Sequence, residues 1–425
     1  ETDMAVIRPE DHSMIYCAMP YAIEGLLETE KTLKKDELVT DTGAELIRDT
    51  VVSVDFEEKQ LRVQSGETYR WRRLVIATGA EPILPPIPGG ELGGVTVFKS
   101  EKDMNRISAR VEDGLKEAVV VGAGAIGVEL AQALAAKKVK TRLVDMVDSV
   151  LPNLADPEMT DVAREQLEEE GIELHLGRKV EALEGSSEVE AAVLDNGESL
   201  AAGLVVFAVG MKPNIELFEN SGLEMVKDGI VVNGEMRTNI EEVYAAGDCV
   251  SYYSGITGER TGGKLATNAV PMARVLADNL RGRPREYSGF FNGSATKAGD
   301  LYVGGTGLKE AEAKARFDTI VFYAEFTTAF PIMPTAKKVR LKMIADRETG
   351  RILGGQVVSG EPVTDKVDQI TMAIQFGITA PQLLGFSYSS QPWQSFFPAH
   401  NLLVKAAEKI AAEMEPSRRS AVKIG

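Results

Sequence analysis

Ala118-Val-Val-Val-Gly122-Ala-Gly124-Ala-Ile-Gly127-Val-Glu129, an alanine-rich run and then Thr141-Arg-Leu-Val-Asp145 is the stretch whose reading decides the fold. The apolar residues before the first glycine predict a strand buried on both faces of a parallel sheet. Gly122 suits a tight turn, Gly124 lets the backbone approach a pyrophosphate, and Gly127 lets the next helix pack close to its strand. That helix opens with Ala125 and Ile126, and its unpaired N–H groups and positive dipole end favour phosphates. Asp145 closes the following apolar strand at the offset where an acid accepts ribose hydroxyls. A strand before the glycines, a helix after them and an acid at this offset predict a dinucleotide site rather than a structural turn.

The rest of the composition narrows the class. At 425 residues, two or three domains are expected. A content of 44% apolar and 26% charged residues is that of an ordinary globular chain. The net charge of −17 argues against general nucleic-acid binding. No apolar run approaches a membrane span, so no membrane partner is expected. Two cysteines, Cys17 and Cys249, make no disulfide framework and fit a reducing cytoplasm. The three histidines do not cluster, which leaves a zinc site or a Ser-His-Asp triad without support; no metal is expected.

In chain order, Met4-Ala-Val-Ile7 reads as a strand, and a short helix is expected near Cys17-Ala-Met-Pro-Tyr21. A cysteine at a helix start is either a reactive thiolate or a small buried hydrophobe. Residues 43–82 alternate as strands, and the Pro/Gly-rich residues 82–94 mark a boundary. Asp156 is expected to cap the helix that Pro157 opens and Gly171 ends. His175 reads as a structural residue on a strand, and Asn196-Gly197 as a hairpin turn. Two segments repeat one plan. Gly43-Ala-Glu-Leu46 returns as Gly171-Ile-Glu-Leu174, and the strand from Leu74 to Pro82 returns from Leu204 to Pro213. The repeat predicts two related nucleotide-binding units. It places the first unit's counterpart of Gly122 upstream of Glu1, so a strand, glycine loop and helix of roughly 30 residues are expected there. After Tyr244-Ala-Ala-Gly247-Asp248, a helix is expected from Lys264-Leu-Ala-Thr267 through Leu280, and the tail reads as a separate α+β domain. The basic end from Arg418 to Lys423 reads as a solvated tail.

The order of motifs resembles the single-cysteine branch of the FAD-dependent pyridine nucleotide–disulfide oxidoreductases. That branch holds CoA-disulfide reductases, NADH-dependent persulfide reductases, NADH oxidases and NADH peroxidases. Ser13-x-x-x-Cys17-Ala-x-Pro-Tyr21 is similar to its redox-cysteine motif, and Ala77-Thr78-Gly79 to its first strand-end flavin motif. Gly122 to Asp145, with Glu129, is similar to its NAD fingerprint, and Val209-Gly210-x-x-Pro-Asn214 to the linker back to the flavin domain. Gly247-Asp248 resembles the motif that bonds the flavin's ribityl chain, and Lys264, Leu265, Ala266 and Thr267 fit the helix against its ring. Phe386-Ser-Tyr388-Ser lies where the dimerisation domain brings a tyrosine towards the partner's cysteine.

The resemblance implies an α/β fold of two related Rossmann-like domains, for FAD and NAD, with a C-terminal α+β dimerisation domain. The expected division is FAD domain 1–106 and 236–305, NAD domain 107–235 and dimerisation domain 306–425. It implies Cys17, Ser13 and Tyr388 as catalytic residues and adds Val52 to the cofactor-binding set. The cofactors implied are FAD and NADH, with coenzyme A expected from the branch alone, since no CoA-contacting pattern stands out around residues 285–300. The first strand ends Val6-Ile7-Arg8, where many relatives carry an acid for the FAD ribose. The implied reaction carries electrons from NADH through FAD to a disulfide, persulfide or polysulfide at Cys17 in a homodimer. Two alternatives stay open: an NADH oxidase or peroxidase using a Cys17 sulfenic acid, and an NADH-dependent reductase of a small redox protein that needs no Cys17. Cys249 reads as packing, with a Cys17–Cys249 pair left open.

Overall fold

The computed structural model describes residues 4–414; the basic end lies outside them. The organising stretch forms the middle of a five-stranded parallel sheet. Its order is Val95–Val97, Leu204–Phe207, Glu117–Val121, Lys140–Asp145 and Glu173–Leu176. Ala118, Val119 and Val120 are fully buried, as a strand covered on both faces requires. One face carries the glycine-turn helix, Ala125–Ala136, which buries Val128, Leu130, Ala131 and Leu134. The other carries an antiparallel meander of Val180–Gly185, Val189–Leu194 and Ser199–Ala201, whose Leu183, Leu194 and Leu200 pack on Val119, Val144 and Val205. Asn196 and Gly197 make the hairpin between its last two strands, with Gly197 at φ +83°.

The first unit repeats the outer parts of this plan. Ala5–Arg8 pairs in parallel with Glu45–Arg48, and Leu74–Ile76 with Val243–Ala245. A meander of Val51–Asp55, Gln60–Val63 and Thr68–Arg70 follows the first pair, as its counterpart does in the second unit. In the second unit Glu117–Val121 joins the two halves of the sheet. Among the described residues no strand joins the two pairs of the first unit. The strand faces register the difference: Val75 is 39% exposed, whereas Val205, its counterpart in the repeat, is fully buried.

The C-terminal sheet is antiparallel, in the order Ser294–Ala298, Leu301–Gly307, Ile352–Ser359, Lys338–Asp346 and Thr319–Thr327. Helices Thr364–Gln375 and Leu402–Met414 bury Val367, Ile370, Ala406 and Ile410 in its core. No helix among the described residues is long and apolar enough to cross a membrane.

Strand pairing shifts the expected domain limits. The limit at 305/306 falls inside the Leu301–Gly307 strand, and the C-terminal sheet starts at Ser294. The limit at 106/107 falls inside helix Glu101–Glu112, and Val95–Val97 already belongs to the second unit's sheet. Gly229–Val231 pairs with Val250–Tyr253, on the first unit's side of the expected 235/236 limit. Alternating apolar residues announce a strand but do not say which sheet receives it. The Asp156 cap also differs. Asp156 stands at the N-cap of helix Pro157–Glu169, yet its side chain makes no capping bond. The carboxylate instead accepts from Lys342 Nζ at 2.7 Å and Gln356 Nε2 at 2.7 Å, both on the C-terminal sheet. A buried ammonium is the stronger partner for it.

Candidate active site

The glycine turn has three glycines under three different constraints. Gly122 has φ +109°, and a Cβ there would lie 2.5 Å from the Ala208 carbonyl oxygen. At Gly127 a Cβ would meet the Gly122 carbonyl oxygen at 1.8 Å, so helix and strand touch backbone to backbone. A Cβ at Gly124 meets nothing within 4 Å. Gly124 is the N-cap and offers no side chain to the first-turn N–H groups of Ala125, Ile126 and Gly127, which therefore remain open to an anion. Asp145 ends the next strand, where its carboxylate accepts from Ala123 N at 2.6 Å and Val147 N at 2.8 Å. These bonds hold it beside the turn with acceptor capacity left for ribose hydroxyls.

The strand that ends at Asp145 offers no free cation to a 2′-phosphate. Arg142 is buried and committed to Glu173 at 2.9 Å, Glu117 at 3.3 Å and the Ala201 carbonyl at 2.7 Å. Met146 and Val147 fill the next positions. NADH is therefore expected to exceed NADPH in kcat/KM by roughly tenfold or more, about 1.4 kcal/mol or more of discrimination. Asp145→Ala with Met146→Arg should narrow the ratio by lowering the NADH value and raising the NADPH value. Steady-state assays with both nucleotides check this; a higher kcat/KM for NADPH in the parent would contradict it.

Cys17 lies in a one-turn helix, Tyr16–Ala18, that runs into helix Met19–Glu24. Pro20 favours that helix's first turn, and Gly25, at φ +87°, ends it. Met19 and Ile23 bury themselves against the glycine-turn helix. This anchoring leaves Cys17 exposed, so it is not the small buried hydrophobe of the two readings. Cys249 is fully buried, and its sulfur lies 3.5 Å from the Ala246 carbonyl oxygen and 3.7 Å from that of Ile76. Burial pushes its thiol pKa up. Both cysteines are free. The Ser13 hydroxyl accepts from the Arg8 guanidinium, which pairs with Asp36 at 2.6 Å. The Ser13 hydroxyl is thus occupied by Arg8.

On the flavin-type motifs, Thr78 Oγ1 donates to the Asn214 carbonyl at 2.6 Å, and Asn214 Nδ2 returns a bond to the Thr78 carbonyl at 3.0 Å. This ties the Ala77–Gly79 strand end to the linker containing Gly210. Gly79 and Gly247 have φ +69° and +87°. A Cβ on Gly79 meets nothing within 4 Å, and one on Gly247 meets only Ala269 Cβ at 3.8 Å. Helix Ala266–Leu280 begins beside them with Leu265 at its N-cap and no side-chain cap, leaving the N–H groups of Ala266 and Thr267 open to an anionic ring edge. These residues fit an extended ligand carrying a ring system. Lys264 precedes the helix, and Val52 lies 43% exposed on the meander.

Lys99 was not legible as a site residue. Its Nζ lies 3.6 Å from the Asp248 carboxylate and 5.6 Å from the ring centroid of Tyr16, the neighbour of Cys17. Glu129 also gains partners that sequence spacing does not announce. Tyr21 Oη donates to Glu129 Oε1 at 3.3 Å and Thr296 Oγ1 donates to the same oxygen at 2.6 Å. Burial raises the Glu129 pKa against the lowering pull of these hydroxyls.

Tyr388 is not brought to Cys17 within one protomer by any hydrogen bond among the described residues. It is 37% exposed, and its hydroxyl donates to the Pro398 carbonyl at 2.6 Å. Phe376, Trp393 and Phe397 are exposed on the same C-terminal domain.

Residues 1–273 match the family described as pyridine nucleotide-disulphide oxidoreductase, and residues 294–395 match its dimerisation domain. A protein of Methanocaldococcus jannaschii named NADH oxidase is 34% identical, over 92% of this chain and 89% of that protein. A CoA-dependent NAD(P)H sulfur oxidoreductase of Pyrococcus furiosus is 33% identical, over 85% of this chain and 83% of that protein. The solved structure of an NAD-dependent persulfide reductase from A. fulgidus superposes with a TM-score of 0.92 at 30% identity, covering 97% of this chain and 78% of that one.

Proposed function

The chain belongs to the pyridine nucleotide-disulphide oxidoreductase family, and from that premise we propose that it spends NADH on a sulfur–sulfur bond at Cys17. The family's oxidoreductase chemistry depends on FAD and NAD(H). The observation that carries the sulfur assignment is the contrast between an exposed Cys17 and a Cys249 that is buried and held among backbone carbonyls. One accessible thiol without a resolving partner suits attack on an external disulfide, persulfide or polysulfide. Bound FAD supplies the ring that accepts the hydride and returns two electrons. Cys17, as thiolate, attacks one sulfur of R–S–S–R′, forms the mixed disulfide and releases the first thiolate. Two electrons then break that bond, releasing the second thiolate and restoring Cys17. The sum is NADH + H⁺ + RSSR′ → NAD⁺ + RSH + R′SH. Thr78, Gly79, Gly210, Gly247, Asp248 and the residues Lys264–Thr267 are our assignment for FAD, with Val52 at the meander. Gly122 to Glu129 and Asp145 are our assignment for NADH.

Coenzyme A is the thiol we favour, because the Pyrococcus furiosus relative is named CoA-dependent. A second reading, an NADH oxidase working through Cys17 sulfenic acid, is supported by the name of the Methanocaldococcus jannaschii relative and by the exposure of Cys17. Anaerobic NADH consumption with CoA disulfide or polysulfide, set against aerobic consumption with NADH alone, tests the two. The sulfur reading expects the anaerobic rate to dominate. A rate that needs oxygen and ignores the sulfur acceptors would overturn it.

The dimerisation domain supports a homodimer, and in it we place Tyr388 beside the partner subunit's Cys17 pocket, where a phenol can donate to the leaving thiolate. Tyr388→Phe is expected to slow sulfur-acceptor turnover by about ten- to a hundredfold, with flavin reduction by NADH unchanged. Equal turnover in parent and mutant would make Tyr388 interface packing. Two free cysteines support a reducing compartment, and we propose the cytoplasm.

A further inference from the structure

Three separate parts of the chain converge on the Glu129 carboxylate. Glu129 lies on the glycine-turn helix, two residues beyond Gly127. Tyr21 comes from the helix that follows Cys17, and Thr296 from the first strand of the C-terminal sheet. Both hydroxyls donate to one oxygen, Oε1, at 3.3 and 2.6 Å. The helix carrying Tyr21 packs directly on the one carrying Glu129, and the Thr296 strand packs on that same helix. One half-buried acid on the helix that opens the dinucleotide turn thus bonds the element that follows Cys17.

We propose that Tyr21, by its hydrogen bond to Glu129, is a positioning residue that couples occupancy of the dinucleotide turn to the reactivity of Cys17. This rests on the assignment of Gly122–Asp145 to NADH and of Cys17 to sulfur chemistry. A ligand that covers the turn removes water from Glu129. Desolvation favours the neutral carboxylic acid, and burial already pushes Glu129 in that direction. Tyr21 is affected by burial first and by the Glu129 charge next, both raising its pKa, and the charge of Cys17 also acts on it. Loss of the Glu129 charge weakens the charge-assisted bond from Tyr21, which loosens the hold on the short helix that follows Cys17 and opens its sulfur to attack. Other charged groups on the packed elements are Glu24 on the cysteine helix and Lys297 on the Thr296 strand. Neither pairs with Glu129, and Lys297 acts on Glu170 instead.

The coupling must be reciprocal: whatever NAD⁺ does to Cys17, modification of Cys17 does to NAD⁺ affinity. The experiment uses holoenzyme and oxidised NAD⁺, so no electrons move. Cys17 alkylation by iodoacetamide is timed with and without saturating NAD⁺, and NAD⁺ affinity is measured by calorimetry before and after alkylation. In the parent, NAD⁺ is expected to speed alkylation about fivefold or more, the lower end of ordinary coupling. In Tyr21→Phe the ratio should fall to within twofold of one, while NAD⁺ still binds and Cys17 still reacts. A purely structural Tyr21 would change both rates together and leave their ratio intact; that result overturns the proposal. So does a parent that binds NAD⁺ with no change in alkylation, which leaves the functional reading standing. Failure of NAD⁺ to bind the parent overturns both.

Discussion

Cys17→Ser is expected to abolish turnover of disulfide and polysulfide acceptors, lowering kcat/KM by at least about a thousandfold, while NADH still reduces the bound flavin. Serine keeps the size and the local hydrogen-bonding pattern, so the helix Met19–Glu24 keeps its buried Met19 and Ile23 contacts. What it removes is the nucleophile, and an alcohol is not ionised at neutral pH. Cys249 cannot replace it. That sulfur is fully buried and faces two backbone carbonyl oxygens, and burial pushes its pKa up. Cys249→Ala should therefore retain turnover with sulfur acceptors. If Cys17→Ser turned over acceptor at the parent rate, electrons would be leaving by a route that needs no thiol, as in a reductase of a small redox protein.

The second large effect concerns the seam between the dinucleotide unit and the C-terminal sheet. Lys342 is 1% exposed, and its ammonium pairs with Asp156 at 2.7 Å, Glu310 at 2.6 Å and Glu158. These three carboxylates have the spacing of a cation site, and the ammonium fills it. The partners come from two parts of the chain, so the cluster fastens helix Pro157–Glu169 to the strands behind it. Lys342→Met removes the cation that all three clustered acids share, one of them buried, and leaves only Lys314 on Glu310. Breaking a buried ion pair from one side costs up to about 3–5 kcal/mol, and here the charge left uncompensated is that of Asp156, since Glu158 reaches water and Glu310 keeps Lys314. A loss of up to that size in unfolding free energy, read as a lowered denaturation midpoint, is expected, and Glu310→Gln in the Lys342→Met background should recover part of it. An unchanged midpoint would mean that the acids find solvent freely. The pH dependence has a definite sign. Hydrogen bonds from Lys314 and Lys342 hold the Glu310 carboxyl below its ordinary value. Its contribution is present above the ordinary carboxylate range and is lost as pH falls through the depressed folded value.

Local chemistry was legible in the chain, and chemistry between distant segments was not. The strand before Gly122, the constraint on Gly127 and the acid at Asp145 follow from backbone sterics over a few residues. The repeat of Leu74–Pro82 in Leu204–Pro213 is equally local. Whether Cys17 is buried or exposed depends on how Met19 and Ile23 dock on another helix, which spacing alone leaves open. Asp156 has the residue type and position of a cap, but Lys342, far along the chain, takes its carboxylate. Lys99 near Asp248, and Tyr21 with Thr296 on Glu129, are pairings between separate elements with no periodic signal. The strand Ser294–Ala298 pairs with Leu301–Gly307, a partner that its own residues do not announce.

The most direct test of a sulfur-linked, flavin-dependent NADH oxidoreductase is the visible spectrum of the purified protein, titrated with NADH without oxygen and then given polysulfide. The account predicts a flavin spectrum that NADH bleaches, with a long-wavelength band from the Cys17 thiolate beside the ring, and full recovery of the flavin absorbance on adding polysulfide. Absence of a flavin spectrum, or bleaching that polysulfide leaves unchanged and only oxygen reverses, would contradict it.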